Sequence, residues 1–198
     1  MLVAKDFRKQ AWNSLSGKWS TMAATTVIYS VILGVCSGLA FIVQGPLDLG
    51  YYLMTANVIR EKDVELEQLF EGFKNCFLNA LLLYILNGIF VFLWSLLFII
   101  PGIIKSYSYS MSYYILADNP DMDANDARKQ SMKLMHGNKW RLFCLDFSFI
   151  GWGLLCVLTF GILSFWVTPY QQTAHAAFYQ SLIAEQYSTR PAEEPFNY

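Results

Sequence analysis

The chain has 198 residues, of which 55% are apolar, 17% aromatic and only 15% charged, against about a quarter charged in ordinary soluble domains. A net charge of −1 supplies no general field to attract nucleic acid or acidic ligands, so no nucleic-acid partner is expected. The four cysteines have neither CxxC nor disulfide-framework spacing, which argues against a stapled or zinc-ribbon scaffold. All four read as small buried hydrophobes.

The opening MLVAKDFRKQAW lacks the apolar core and small-residue cleavage site of a secretory signal, so nothing is expected to be removed. Residues 4 to 18 place Phe7, Ala11 and Leu15 at helical spacing with Lys5, Arg8 and Lys9 on other faces, the pattern of an amphipathic helix at a membrane surface. Trp19 to Leu47 carries no charge and is interrupted by Gly45-Pro46 near its end. A shorter mixed segment follows, from Asp48 to Val58, with Tyr51 and Tyr52. Arg60 to Lys74 reads as a second amphipathic stretch with Val64, Leu66, Leu69, Phe70 and Phe73 on its apolar side. Its acids (Glu61, Asp63, Glu65, Glu67 and Glu71) form a solvated face.

Asn75 to Ile104 contains no charged residue, and its thirty positions exceed the roughly 20 that cross a bilayer as a helix. Pro101-Gly102 marks a hinge, and Lys105 to Ala117 reads as a return helix despite its alternating serines. Ser106 with Ser110, and Ser108 with Ser112, give it small-residue faces for close helix approach. Asp118-Asn119-Pro120 ends that helix. Residues 123 to 136 form a third amphipathic helix, with Asp123 as N-cap and Gly137 as its stop. Trp140 to Ala184 is apolar apart from Arg141, Asp146 and His175, with a break expected near Thr168-Pro169. The stretch 188–198 reads as a polar, frayed tail.

These pieces repeat. Gly17, Gly72 and Gly137 each precede a lysine by one or two residues, and Pro46, Pro101 and Pro169 each end a long apolar run. Gly17 to Gly72 and Pro46 to Pro101 both span 55 positions, while the third unit is longer, at 65 and 68. Such periodicity points to three copies of surface helix, long helix, hinge and return helix, over 4–60, 61–118 and 123–187 of a single domain covering 1–187. If every hairpin starts and ends on one side, thirteen of the fourteen Lys/Arg residues share it and only Lys105 lies near the opposite turns. By the positive-inside rule that side is cytoplasmic. The expected architecture is all-α: a polytopic protein of the cell membrane with about six membrane-inserted helices and both termini in the cytoplasm. The first return helix, counted from Pro46 to Ile59, reaches only about 21 Å, so a half-spanning or re-entrant segment is an alternative.

The sets Pro101-Gly102-Ile103-Ile104-Lys105-Ser106-Tyr107, Ala117-Asp118-Asn119-Pro120, Gly137-Asn138-Lys139-Trp140 and Leu145-Asp146-Phe147-Ser148-Phe149-Ile150-Gly151-Trp152 together resemble a bacterial integral-membrane family. It is known as domain-of-unknown-function family 975 and is found largely in low-GC Gram-positive bacteria. The likeness spans roughly residues 4 to 187. It implies a polytopic helical protein of the cell membrane and brings no activity, cofactor or catalytic residue with it.

Asp146 lies five positions beyond Arg141, about 7 Å deeper along a helix. An intramembrane carboxylate is a functional-site hypothesis by default, although it could equally organise packing by accepting bonds from Ser, Tyr or Trp donors or by pairing with Lys139. Six residues past each hinge proline stand Tyr52, Tyr107 and His175. Around a pseudo-threefold axis such equivalents would converge, as sites do at repeat interfaces in transporters, or they are buried hydrogen-bonded side chains. The candidate binding set is therefore Tyr52, Tyr107, His175, Asp146 and Lys105. Gly34-Val35-Cys36-Ser37-Gly38 is a GxxxG that suits dimerisation or internal packing. No metal, cofactor or catalytic residue is predicted, because His136 and His175 lack metal-ligand spacing and no nucleophile or phosphate-loop motif occurs. The expected partners are the lipid bilayer and other membrane helices, including a second copy of the chain. Three functions compete: a non-catalytic membrane protein acting through helix and lipid contacts in envelope maintenance or self-protection, a small-solute transporter or channel-like permease, and a lipid-directed enzyme.

Overall fold

The computed structural model describes residues 3–35, 40–74, 76–97 and 99–189. Over these residues all regular structure is helical: α1 (Ala4–Ser14), α2 (Trp19–Val35), α3 (Ala40–Ile59), a 3₁₀ turn (Leu66–Phe70), α4 (Glu71–Lys74), α5 (Phe77–Leu97), α6 (Ile99–Tyr109), α7 (Ser112–Asp118), α8 (Ala124–Leu134), α9 (Lys139–Phe147), α10 (Ile150–Leu158) and α11 (Ser164–Thr189). The GxxxG residues Cys36 to Gly38 and the tail beyond Thr189 lie outside the described residues. Of the other cysteines, Cys76 is buried, whereas Cys144 and Cys156 are half-exposed rather than buried.

The first and third units share one local design, 120 positions apart. Gly17 and Gly137 sit at φ +82° and +79°, the left-handed conformation that a side chain disfavours and glycine adopts freely. In the turn before each, Leu15 N–H donates to Ala11 O and Met135 N–H to Ser131 O, while Lys18 N–H and Asn138 N–H close back onto Leu15 O and Met135 O. Phe7, Ala11 and Leu15 of the first unit are buried, as are Ala127, Ser131 and Met135 of the third. Asp123 caps α8 by accepting from Asn125 N–H at 2.8 Å, satisfying one of the donors a helix start leaves open.

The second unit departs from this design. Instead of one amphipathic helix over 60–74, α3 runs on to Ile59 and closes with Glu61 at φ 57°. There Lys62 N–H reaches Asn57 O and Glu61 N–H reaches Val58 O, the paired bonds of a left-handed helix stop. The chain then reaches the short 3₁₀–α4 segment. Gly72 is no helix stop; it permits close approach, because a Cβ there would lie 2.2 Å from Pro46 O.

Nor do the prolines form the corners. Pro46 and Pro169 lie inside α3 and α11, and Pro101 in the first turn of α6. The third corner comes at Phe160 and Gly161, φ 51° and 84°, where Gly161 N–H bonds Cys156 O and Phe160 N–H bonds Val157 O. The return helices are longer than expected in consequence. α3 has 20 residues and α11 has 26, about 30 and 39 Å. The middle return is split at Ser110-Met111. Ser131 of α8 fills the split, its hydroxyl donating to Ser108 O at 2.8 Å and accepting from Met111 N–H at 3.2 Å.

Packing is cyclic. α1 lies on α9 and α11, α8 on α5, α6 and α7, and the 3₁₀–α4 segment on α2 and α3. Each unit's leading segment thus covers the preceding unit, and the first closes onto the third. The return helices form the inside: α3 packs on both α7 and α11, and Tyr114 OH donates to Gln172 O across the α7–α11 seam. Met54, Thr55, Leu116, Ala174 and Phe178 there are fully buried.

The helix ends tie together at one end of the bundle. Lys18 Nζ donates to Lys62 O at 2.5 Å, Arg60 pairs with Asp118 at 2.7 Å, Asn79 donates to Met122 O at 3.0 Å, and Arg141 forms a two-pronged pair with Glu185 at 2.9 Å. Among the described residues, two stretches are long and apolar enough to cross a membrane, Phe77–Leu96 and Lys139–Leu158, and only 11% and 17% of them is buried. The other helices fall short for local reasons. Among the described residues α2 is an apolar helix of 17 residues, while α3 and α11 carry Gln44, Asp48, Asn57, Gln171, Gln172 and His175.

Candidate functional site

Asp146 stands on the last turn of α9 and faces α6 and α11. His175 Nε2 lies 2.6 Å from its Oδ1, Tyr107 OH donates to its Oδ2 at 3.0 Å, and Gln171 Nε2 donates to Oδ1 at 3.4 Å. Gln171 and His175 are one helical turn apart on α11 and so share a face. The dyad is half-buried, at 16% side-chain exposure for His175 and 26% for Asp146. A carboxylate bonded to one imidazole nitrogen fixes the ring's orientation. Arg8 reaches the C-terminal end of α9. Its guanidinium donates to Ser148 O at 3.3 Å and lies over the Phe149 ring, supplying a donor to a carbonyl at the helix end that would otherwise lack one.

Three of the five predicted residues, Tyr107, Asp146 and His175, therefore meet. Tyr52 does not join them. Its ring stacks on Tyr113 (5.1 Å between centroids, 3°) and meets Tyr114 edge-on at 4.7 Å. Tyr52 turns toward the second unit and Tyr107 toward the third, while His175 meets Asp146 of its own unit, so the three positions do not converge. Lys105 also stands apart, with Nζ 4.9 Å from the Trp94 ring centroid. Two residues along a helix rotate by about 200°, which turns Lys105 away from the face that Tyr107 presents to Asp146. Lys139 is not among the partners of Asp146.

A second constellation was not singled out from the sequence. Asp48 accepts from Tyr29 OH at 2.5 Å and lines a cavity of about 620 Å³ bounded by α3, α5, α6 and α7. Tyr52, Tyr84, Asn87, Tyr109 and Tyr113 also line it. The usable signal was charge isolation: Asp48 is the one charged residue between Lys18 and Arg60, as Asp146 is between Arg141 and Glu185. Gln171, the remaining ligand of Asp146, carried no signal of its own.

At the polar end, Asp118 accepts from Arg60 and from Tyr179 OH at 3.0 Å. That bond holds the Arg60 guanidinium above its ordinary pKa. Glu185 is shifted down, chiefly by its hydrogen bonds from Arg141. Among the described residues no three His, Cys, Asp or Glu side chains gather in a way that could hold a metal ion.

Residues 96–186 match the family model described as Protein of unknown function (DUF975). Over that stretch the chain is similar to the DUF975 family. The matched stretch runs from the end of α5 through most of α11, so it contains Lys105, Tyr107, Asp146 and His175 but neither Asp48 nor Tyr52. It is narrower than the likeness expected over residues 4 to 187. No curated protein and no solved structure matches the chain.

Proposed function

We propose that this chain is a multi-pass protein of the cell membrane, with six membrane-inserted helices in three hairpins and both termini on the cytoplasmic side. It acts without catalysis, through contacts with lipid and with other membrane helices, in maintenance or self-protection of the cell envelope. One observation carries the reading: the apolar side chains of the outer helices point outward. On α5, Leu78, Leu82, Ile85, Ile89, Phe92 and Leu96 are all exposed and recur every three or four residues. A helix buried in a soluble core would hide such a face, whereas lipid is its natural solvent. The polar ends that meet through Lys18, Arg60, Lys62 and Arg141 support a common basic side.

Single cysteines at Lys74, Lys105 and Lys139, labelled on intact cells with a membrane-impermeant maleimide, test the topology. Only the Lys105 position should react before permeabilisation. Reaction of Lys105 and Lys139 from the same side would overturn it. For the role, a deletion strain should grow less well than its parent under membrane-active peptides, and equal growth would overturn that part.

A second reading, a small-solute permease with a polar site among the return helices, is favoured by the Tyr107–Asp146–His175 junction, which couples α6 and α11 through an ionisable pair. It predicts that His175→Ala reproduces the deletion phenotype under solute stress while leaving the amount of protein in the membrane unchanged.

A further inference from the structure

The cavity that contains Asp48 combines three features. Among the described residues, its polar wall holds a carboxylate whose one hydrogen-bond donor is the Tyr29 hydroxyl, and no lysine, arginine or histidine lines the cavity. A carboxylate held among apolar helices without a cation is costly, and a positive partner relieves that cost. Aromatic rings stand around it, those of Tyr52, Tyr84 and Tyr113, and the faces of such rings attract organic cations. The outer rim is apolar and open: Phe41, Ile89 and Phe92 line the cavity and are exposed at 75%, 50% and 66%.

We infer that this cavity binds a lipophilic organic cation, an ammonium group carrying an apolar tail, whose head sits against Asp48 within the tyrosine rings and whose tail leaves past Phe41 and Phe92 into the surrounding lipid. The inference rests on the membrane reading above, because the tail requires an apolar phase at the rim. Charge decides the ligand class: an anion would meet Asp48 head-on, and a neutral amphiphile would leave the carboxylate uncompensated.

The test uses the full chain in lipid nanodiscs, with dodecyltrimethylammonium as the probe and dodecyl sulfate and dodecanol as controls. Titration against empty nanodiscs should give saturable binding of the cation alone. Asp48→Asn should weaken it by about tenfold or more, as expected when one partner of a buried charge pair is removed. Gly88→Leu provides an independent arm. Gly88 lines the cavity and nothing lies within 4 Å of a Cβ built there, so a leucine starts into open space on the cavity wall and should abolish binding even where Asp48→Asn fails to fold. Binding undiminished in Gly88→Leu, or equal uptake of all three amphiphiles, overturns the inference. Extraction of the protein from membranes by alkaline carbonate would instead overturn the membrane reading beneath it. A carbonate-resistant protein that does not bind the cation would sink this inference alone.

Discussion

His175 Nε2 and Asp146 Oδ1 are 2.6 Å apart across 29 positions of sequence, and this contact joins α9 to α11 inside the third unit. With Tyr107 adding a bond from α6, it also ties the second unit to the third. Asp146→Asn and His175→Ala should each lower stability by about 1.5–3 kcal/mol, the range for hydrogen bonds to charged groups. The double variant should lose much less than the sum, since the two residues share one interaction. Thermal unfolding of the four proteins in detergent measures this, and additive losses would show that the pair is not coupled.

Close approach governs the contact of the second unit with α3. A Cβ at Gly50 would lie 2.1 Å from Leu69 O, and one at Gly72 2.2 Å from Pro46 O. Backbone atoms cannot retreat as a side-chain end can, so Gly50→Ala and Gly72→Ala should each cost about 1–3 kcal/mol. Gly88→Ala meets nothing and should be neutral or slightly stabilising, by up to about 1 kcal/mol. Equal melting temperatures for all three variants would contradict the packing described.

Gly137→Ala tests a different property. Its Cβ would have open space, but φ is +79°, so the penalty is conformational, about 1–2 kcal/mol. Gly137→Asn should recover part of it, because asparagine tolerates the left-handed region better than alanine does.

Ser131 joins the broken return helix by bonding Ser108 O and Met111 N–H together. Ser131→Ala leaves both backbone groups without that partner and should cost about 1–3 kcal/mol. Amide exchange at Met111 should accelerate well ahead of exchange in α8, and unchanged protection at Met111 would refute the bridging role.

The Arg141–Glu185 pair should report on pH. Glu185 has a folded-state pKa below its unfolded value, so its contribution is complete above the ordinary glutamate pKa of about 4.3. It is lost as pH falls through the depressed value. The melting-temperature difference between wild type and Glu185→Gln should hold steady from pH 7 to about 5, then shrink in acid. Added salt should reduce it throughout, because Glu185 is largely exposed. A difference independent of both pH and salt would assign the effect to packing instead.

Local features were legible where a few neighbouring residues decide them. The α1 and α8 faces, the Asp123 cap and the helix stop at Gly137 follow from side-chain spacing and backbone preference alone. The prolines misled because helix corners depend on which carbonyls find donors, and Phe160 accepted a left-handed conformation that its residue type disfavours. For Gly72 a shared motif concealed a different job, since close approach to Pro46 is a contact between units.

The amino-acid sequence by itself determined that the chain is helical and which runs are free of charge, since propensity and hydropathy are properties of short segments. Only the tertiary structure decided that Asp146 meets His175 and Tyr107, that Tyr52 joins a tyrosine stack, and that Asp48 faces a cavity. Those outcomes depend on how each helix is rotated about its own axis. A single residue shifts that direction by about 100°, and the angle is set by packing against helices distant in sequence.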